Sequence, residues 1–245
     1  MNIGFSPLNG LNYPTPYDNS RINNRHLEKG EFNAAYTRKD DAPARTIVCS
    51  TTDSGIRPKN IWRDFFQVTE GNCVTVSAIK AAMAKFGSHP EGIYKKITRT
   101  PEGYDVVMRD DVRITLTHQE LLQAMEHTGF AGSGKVLRHA VFLYAASAKR
   151  AQNENNDHRA SQNFKTAMDT LNDGEHPGEA LTRLGLKHSM RSGTLEELKN
   201  GAIGTLANSS HSVAVIDGHI DLWSIKVPLG DSPFDSKENT VLVLA

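Results

Sequence analysis

The stretch FFQVTEGNCVTVSAIKAAMAKFG, Phe65 to Gly87, decides how the rest of the chain is read. Val76, Ile79, Met83 and Phe86 recur at helical spacing, so the segment predicts a helix with these four on one face. Gly87 is its stop signal. Cys73, one of only two cysteines, stands where that helix begins. A helix N-terminus presents unpaired N–H groups and the positive end of the dipole, which favour a thiolate. Gly71-Asn72 supplies a tight turn and access for a carbonyl group. The plain alternative is that Cys73 is one more small apolar core residue, the commonest fate of a free cysteine.

Working outward, Gly103–Thr117 (GYDVVMRDDVRITLT) predicts two strands flanking a turn at Arg109-Asp110-Asp111. Thr117-His-Gln-Glu120 is a capping box opening a helix through His127. A strongly apolar, buried helix starts at Lys135, and NENNDHR breaks it. Helical stretches follow near 160–172 and 178–184, then a short capped helix in Thr194–Gly201. AIGTLA, HSVAVI, IDLWSIKV and TVLVLA each predict a strand. Helices early and strands late imply an α+β domain with two packed lobes. Residues 1–58, rich in Asn, Pro, Asp and Arg, read as an irregular leader holding one short strand at Ile47–Thr52, with the folded domain from 59 to 245.

Composition narrows the function classes. Lys+Arg and Asp+Glu both number 28, so no charge excess points to nucleic acid or an anionic membrane. No apolar run reaches membrane-spanning length, and the N-terminus lacks the basic start and apolar core of a cleavable signal peptide. Cys49 and Cys73 make no disulfide framework, which fits a reducing compartment. No cofactor motif is evident, and no His/Cys cluster has zinc-ligand spacing. Oligomeric state is not legible.

A nucleophilic thiol needs a base, usually a histidine distant in sequence. Of ten histidines, His26, His89, His158 and His176 sit in polar or helical surroundings, and His139 packs within the apolar helix. His211 instead stands at the start of the apolar run SVAVI, where a strand leaves a polar loop and presents side chains to a cleft. Gln67, six residues before Cys73, offers an uncharged amide that could join the Cys73 N–H in an oxyanion hole. Alone, Gln67 reads as an exposed helix or loop residue.

Together Gln67-Val-Thr-Glu-Gly-Asn-Cys73 and His211-Ser-Val-Ala-Val215 resemble the papain-like cysteine peptidases, over roughly Trp62 to Val227. The hairpin GYDVVMRDDVRITL, the helix FLYAASAKRA and the segment EALTRLG are similar to the calpain-like branch, without a calcium-binding module. The resemblance implies a Cys-helix lobe packed on an antiparallel β-sheet lobe, no cofactor, and a protein or peptide substrate cleaved through an acyl-enzyme. Deamidation, acyl transfer and removal of ubiquitin-like modifiers use the same groups. The leader is similar to that of bacterial effector proteases delivered into host cells; otherwise a cytoplasmic site is implied. The resemblance departs at Val74, where the family has an aromatic residue.

The family's third member, an Asn or Asp that orients the imidazole, is expected on the strand after His211. A two-residue turn at Asp217-Gly218 would set Ser224 opposite His211 and turn Asp221 away, whereas a bulge would bring Asp221 round. A carboxylate suits the role better than a hydroxyl. Asp221 is therefore favoured, with Ser224, Asp217 and Asp231 as alternatives. A catalytically inactive papain-like binding module is the competing reading.

Overall fold

The computed structural model describes residues 46–47, 55–68, 70–236 and 238–245. From the strand expected at Ile47–Thr52, β1 (Thr46–Ile47) is described and pairs antiparallel with Thr98 and Ile97. The rest of that strand, with most of the leader, lies outside the described residues.

A single helical turn, α1 (Ile61–Asp64), leads into β2 (Phe65–Gln67) and then α2 (Cys73–Phe86). The last helix begins at Cys73 and ends at Gly87, whose φ of 101° suits glycine and whose N–H bonds Met83 O at 3.0 Å. The expected single apolar face is only part of its burial. Every residue from Val74 to Ala84 is buried. Ala78, Ala81, Ala82 and Ala84 let neighbouring elements approach the sides that larger residues would hold away.

After α3 (Pro90–Ile93), the strands β3 (Lys96–Arg99), β4 (Gly103–Val107) and β5 (Arg113–Thr117) form a meander with β1 at its edge. The β4–β5 turn falls at the expected Arg109-Asp110-Asp111, with Asp111 at φ 68°. The predicted capping box opens α4 (His118–His127): Glu120 N donates to Thr117 Oγ1 at 3.1 Å, and Thr117 N donates to Glu120 Oε2 at 2.9 Å. Next, β6 (Phe130–Gly132) pairs with β2, a two-stranded ribbon that periodicity did not reveal because each strand has three residues.

The long helix α5 (Gly134–Glu154) starts one residue before the expected Lys135 and stops at left-handed Asn155. The short helices α6 (Phe164–Asp169) and α7 (Glu179–Arg183) follow it. Two buried arginines knit this part together. Arg150 reaches Asp110 Oδ2 at 2.7 Å, Thr182 O at 2.8 Å and Glu154 Oε1 at 2.8 Å, while Arg183 pairs with Glu175.

The remaining elements are β7 (Met190–Ser192), α8 (Leu195–Lys199), β8 (Gly204–Ala207), β9 (Ser212–Ile216), β10 (His219–Leu222), β11 (Ile225–Pro228) and β12 (Thr240–Leu244). The six strands form one antiparallel sheet in the order β11-β10-β9-β8-β12-β7. A second capping box, Thr194 with Glu197, starts α8. In β9, Ala214 and Ile216 join the core around α2, whereas Val213 and Val215 join a second cluster with Leu206, Ile220 and Phe234. Burial on both faces explains why this strand reads as a continuous apolar run.

Two expectations are corrected here. IDLWSIKV is two strands, broken at Trp223-Ser224, where both residues have positive φ (47° and 71°) and Leu222 pairs with Ile225. Helix and strand are also not segregated along the chain, since the first half contributes a four-stranded sheet and a two-stranded ribbon. The architecture is mixed α+β with antiparallel sheets. Among the described residues, no helix is long and apolar enough to cross a membrane.

Candidate functional site

Cys73 is the first residue of α2, and the turn before it is held by contacts from two other segments. Asn72 does not cap the helix; its Nδ2 donates to Thr128 O at 2.8 Å. Gly71 lies so close to the chain at Asn172 that a Cβ there would come within 2.6 Å of the Asn172 carbonyl oxygen. Only glycine fits that approach. The thiol is half-buried at a pocket shared by Gln67, Ser77, His211, Asp221 and Trp223. β9 joins the same wall through Ser212, whose Oγ lies 2.8 Å from Ser77 Oγ.

His211 arrives from a loop built by Asn208. The Asn208 side-chain oxygen accepts from the N–H groups of Ser210 (2.9 Å) and His211 (2.8 Å), and Asn208 N donates to His211 O at 3.0 Å. The imidazole stacks on the Trp223 ring, centroids 5.0 Å apart and planes 19° from parallel, and Phe234 lies 6.2 Å away. The tight turn that breaks IDLWSIKV thus puts an aromatic ring on the histidine.

Burial sets the protonation states. It pushes the Cys73 thiol above its ordinary value, against the opposing pull of the backbone N–H groups of Ser212, Val74 and Cys73 itself. It pulls His211 down to about 4. Neither group's titration is moved by the other, and no hydrogen bond joins thiol and ring. The resting pair at neutral pH is therefore thiol and neutral imidazole.

Gln67 borders the pocket from β2, and its Nε2 donates to Glu70 O. The amide carries two N–H bonds, so this contact fixes its orientation while engaging one of them. Asp221 also borders the pocket, but its Oδ2 lies 2.7 Å from Lys80 Nζ, and its Oδ1 has no hydrogen-bond partner. The Asp217-Gly218 turn is the two-residue type, φ 49° and 74°, pairing His219 with Ile216. Ser224 nonetheless does not pair with His211: β9–β10 pairing ends at Ile220↔Val215, and the chain turns toward β11. Asp217 binds Arg57 at 3.3 Å at the other end of β9 from His211, and Asp231 is exposed in a short 3-10 turn.

Trp223, Asn208 and Lys80 were not singled out from the sequence. A signal for Lys80 existed: a lone lysine at the centre of SAIKAAM is flanked by apolar residues and so demands a buried partner. Trp223 offered none, because a tryptophan in an apolar run reads as core. Among the described residues, no group of three or more His, Cys, Asp or Glu side chains is placed to hold a metal ion.

The histidines also set an acid limit. His139 meets His89 edge to face with ring centroids 4.6 Å apart, its Nδ1 lies 3.0 Å from Ser88 O, and burial pulls it to about 4. Unfolding restores His139 and His211 to about 6.5, so the unfolded chain binds more protons between those values. Their neutral burial is fully tolerated above that range, and stability falls as pH drops from about 6.5 toward 4, by at most about 3 kcal/mol per histidine. Thermal melts by circular dichroism from pH 7 to 4 should show this loss. His139→Gln, which keeps a donor for Ser88 O, should flatten the slope.

No protein-family model, no curated protein and no solved structure matches the chain.

Proposed function

We propose that the chain is a papain-like cysteine hydrolase, with the Cys helix α2 packed on the antiparallel sheet that carries the base. One observation supports the reading most. Cys73, from the start of α2, and His211, from the loop entering β9, converge on a single pocket that Gln67 also borders. Nucleophile, base and a candidate oxyanion donor thus border one site, the convergence that acyl transfer requires.

In this reading His211 takes the Sγ proton as the substrate carbonyl enters, and the thiolate attacks the carbonyl carbon. The Cys73 N–H and the second Gln67 N–H receive the negative oxygen. Imidazolium then protonates the leaving amine as the C–N bond breaks, leaving a thioester. Water, deprotonated by His211, attacks the thioester and releases the acid and the free thiol. The neutral resting pair means that charge separation accompanies substrate entry. In this reading the Asp221 carboxylate, which borders the same pocket, supports the imidazolium once it forms. Peptide bonds in a protein or peptide are the proposed substrate. Deamidation, acyl transfer and removal of ubiquitin-like modifiers share every step up to the thioester.

The test is labelling of the full chain at neutral pH with an epoxysuccinyl inhibitor, mapped by peptide mass. Fast labelling at Cys73, slow labelling at Cys49, and loss of the fast reaction in His211→Ala are expected. The absent thiol–imidazole hydrogen bond favours a second reading, an inactive module that binds a partner. Equal, slow labelling of both cysteines would establish that reading in place of the hydrolase.

A further inference from the structure

Three buried ion pairs lie within the described fold, and only one touches the pocket. Arg150 with Asp110 and Arg183 with Glu175 join helices and turns that do not border it. Lys80 with Asp221 is different. Lys80 is 0 % exposed and Asp221 8 %. Lys80 stands seven residues after Cys73, two turns along α2 on the same side of the helix. Its Nζ reaches Asp221 Oδ2 on β10 at 2.7 Å and Trp62 O on α1 at 3.1 Å, and lies 5.2 Å from the centroid of the Phe65 ring on β2. The other carboxylate oxygen, Oδ1, is buried without a hydrogen-bond partner in a residue that borders the pocket with Cys73 and His211.

We infer that Lys80 is a positioning residue of this site: it holds Asp221 ionised through Oδ2, so that Oδ1 stays open to receive an N–H of the His211 imidazolium. The inference rests on the hydrolase reading. A carboxylate this deeply buried would otherwise take up a proton and lose its charge. Burial does push Asp221 up and Lys80 down, each opposed by the partner's charge. Other groups act on the pair from the surrounding elements. Asp64 on α1 adds attraction for Lys80, and the Ser224 N–H supports the Asp221 charge. Lys226, opposite Asp221 on β11, is drawn away over the Trp62 ring at 5.6 Å. Within the pocket, Cys73 and His211 are the titratable neighbours. When the proton moves from Cys73 to His211, Oδ1 gains the partner it lacks at rest. The same link fixes α2 to β10, and hence the thiol to the strand that carries Asp221.

The test is the pH profile of iodoacetamide alkylation at Cys73, read by peptide mass on full-length protein between pH 5 and 9, with circular dichroism melts beside it. Losing one opposite charge moves the ring by about one pK unit or more, so Lys80→Gln should alkylate about tenfold more slowly at pH 7, with its rise shifted upward in pH. Asp221→Asn should give the same profile, and the double variant should be no slower than either single one. Lys80→Arg keeps the charge and should stay close to wild type. Lys80→Gln melting lower but alkylating with the wild-type profile would mean a purely structural lysine and overturn the inference. If Lys80→Gln does not fold, Lys80→Arg decides: a folded Lys80→Arg as slow as Asp221→Asn overturns it, and a wild-type rate supports it. His211→Ala separates the two levels. If it alkylates like wild type, the thiol–imidazole reading fails. If it is slow while Lys80→Gln is unchanged, only the role of Lys80 fails.

Discussion

Cys73→Ala should abolish turnover of whichever substrate a panel of peptidyl fluorophores and ubiquitin-like conjugates reveals, while moving the Tm by no more than about 3 °C. The contrast follows from position. The sulfur is half-buried at a pocket edge, at the rim of the core around α2, so its removal takes one partly exposed atom and not a fully buried side chain. His211→Ala should lose nearly as much activity, and Cys73→Ala/His211→Ala no more than either alone, because nucleophile and base act as one unit. His211→Ala should also cost more stability, since the Trp223 ring loses the face it stacks on. Gln67→Ala should lower kcat by about 10²-fold with little change in KM, as for a donor used in the transition state. Equal turnover by wild type and Cys73→Ala would remove the thiol from the mechanism altogether.

The largest stability effect is expected far from the thiol. Arg150→Met leaves Asp110, with its side chain 0 % exposed, without its 2.7 Å partner, and takes one of two donors from Thr182 O, which keeps the Gly185 N–H at 2.8 Å. Breaking a buried pair from one side costs about 3–5 kcal/mol, which for a chain of this size lowers Tm by roughly 10 °C. Arg150→Met/Asp110→Leu should recover a large part of that, because no uncompensated charge remains. A double variant as unstable as Arg150→Met would place the energy in packing around the arginine stem instead of in its charge. Melting curves of the three proteins decide between these.

What could be read from the sequence was local. Helix starts with side-chain caps, Thr117 with Glu120 and Thr194 with Glu197, lie where the capping pattern puts them, because a capping box is complete within four residues. The α2 boundaries were legible for a similar reason, with Gly87 closing the helix. The ribbon of β2 and β6 was not, since three residues carry no measurable period. The sheet order was equally hidden, because pairing across distant segments leaves no mark on either strand alone. At the site, Cys73 and His211 were picked out by residue chemistry and by place at an element's start, and Gln67 by its amide six residues before Cys73; the structure sets all three around one pocket. The surroundings of Asp221 depended on a second turn at Trp223-Ser224, made without glycine or asparagine, so turn chemistry gave no warning of it. Lys80 could have been suspected from its apolar neighbours, but its partner could be known only once β10 was placed against α2.

The position of β12 has a consequence for how the molecule is made. The strand β12, Thr240–Leu244, lies between β8 and β7, pairing with both, so the six-stranded sheet cannot close until that segment has been made. Long-range pairings of this kind form late, after local hairpins and helices. During synthesis, α2 and the β4–β5 hairpin can form while the segment bearing His211 has yet to be made. On the proposed hydrolase reading, Cys73 then lacks the imidazole of His211, and a thiol that depends on that base stays quiet on a nascent chain. Chain order on that reading acts as a timer: the thiol gains its base only once the segment bearing His211 is made, and β12 then completes the sheet behind it.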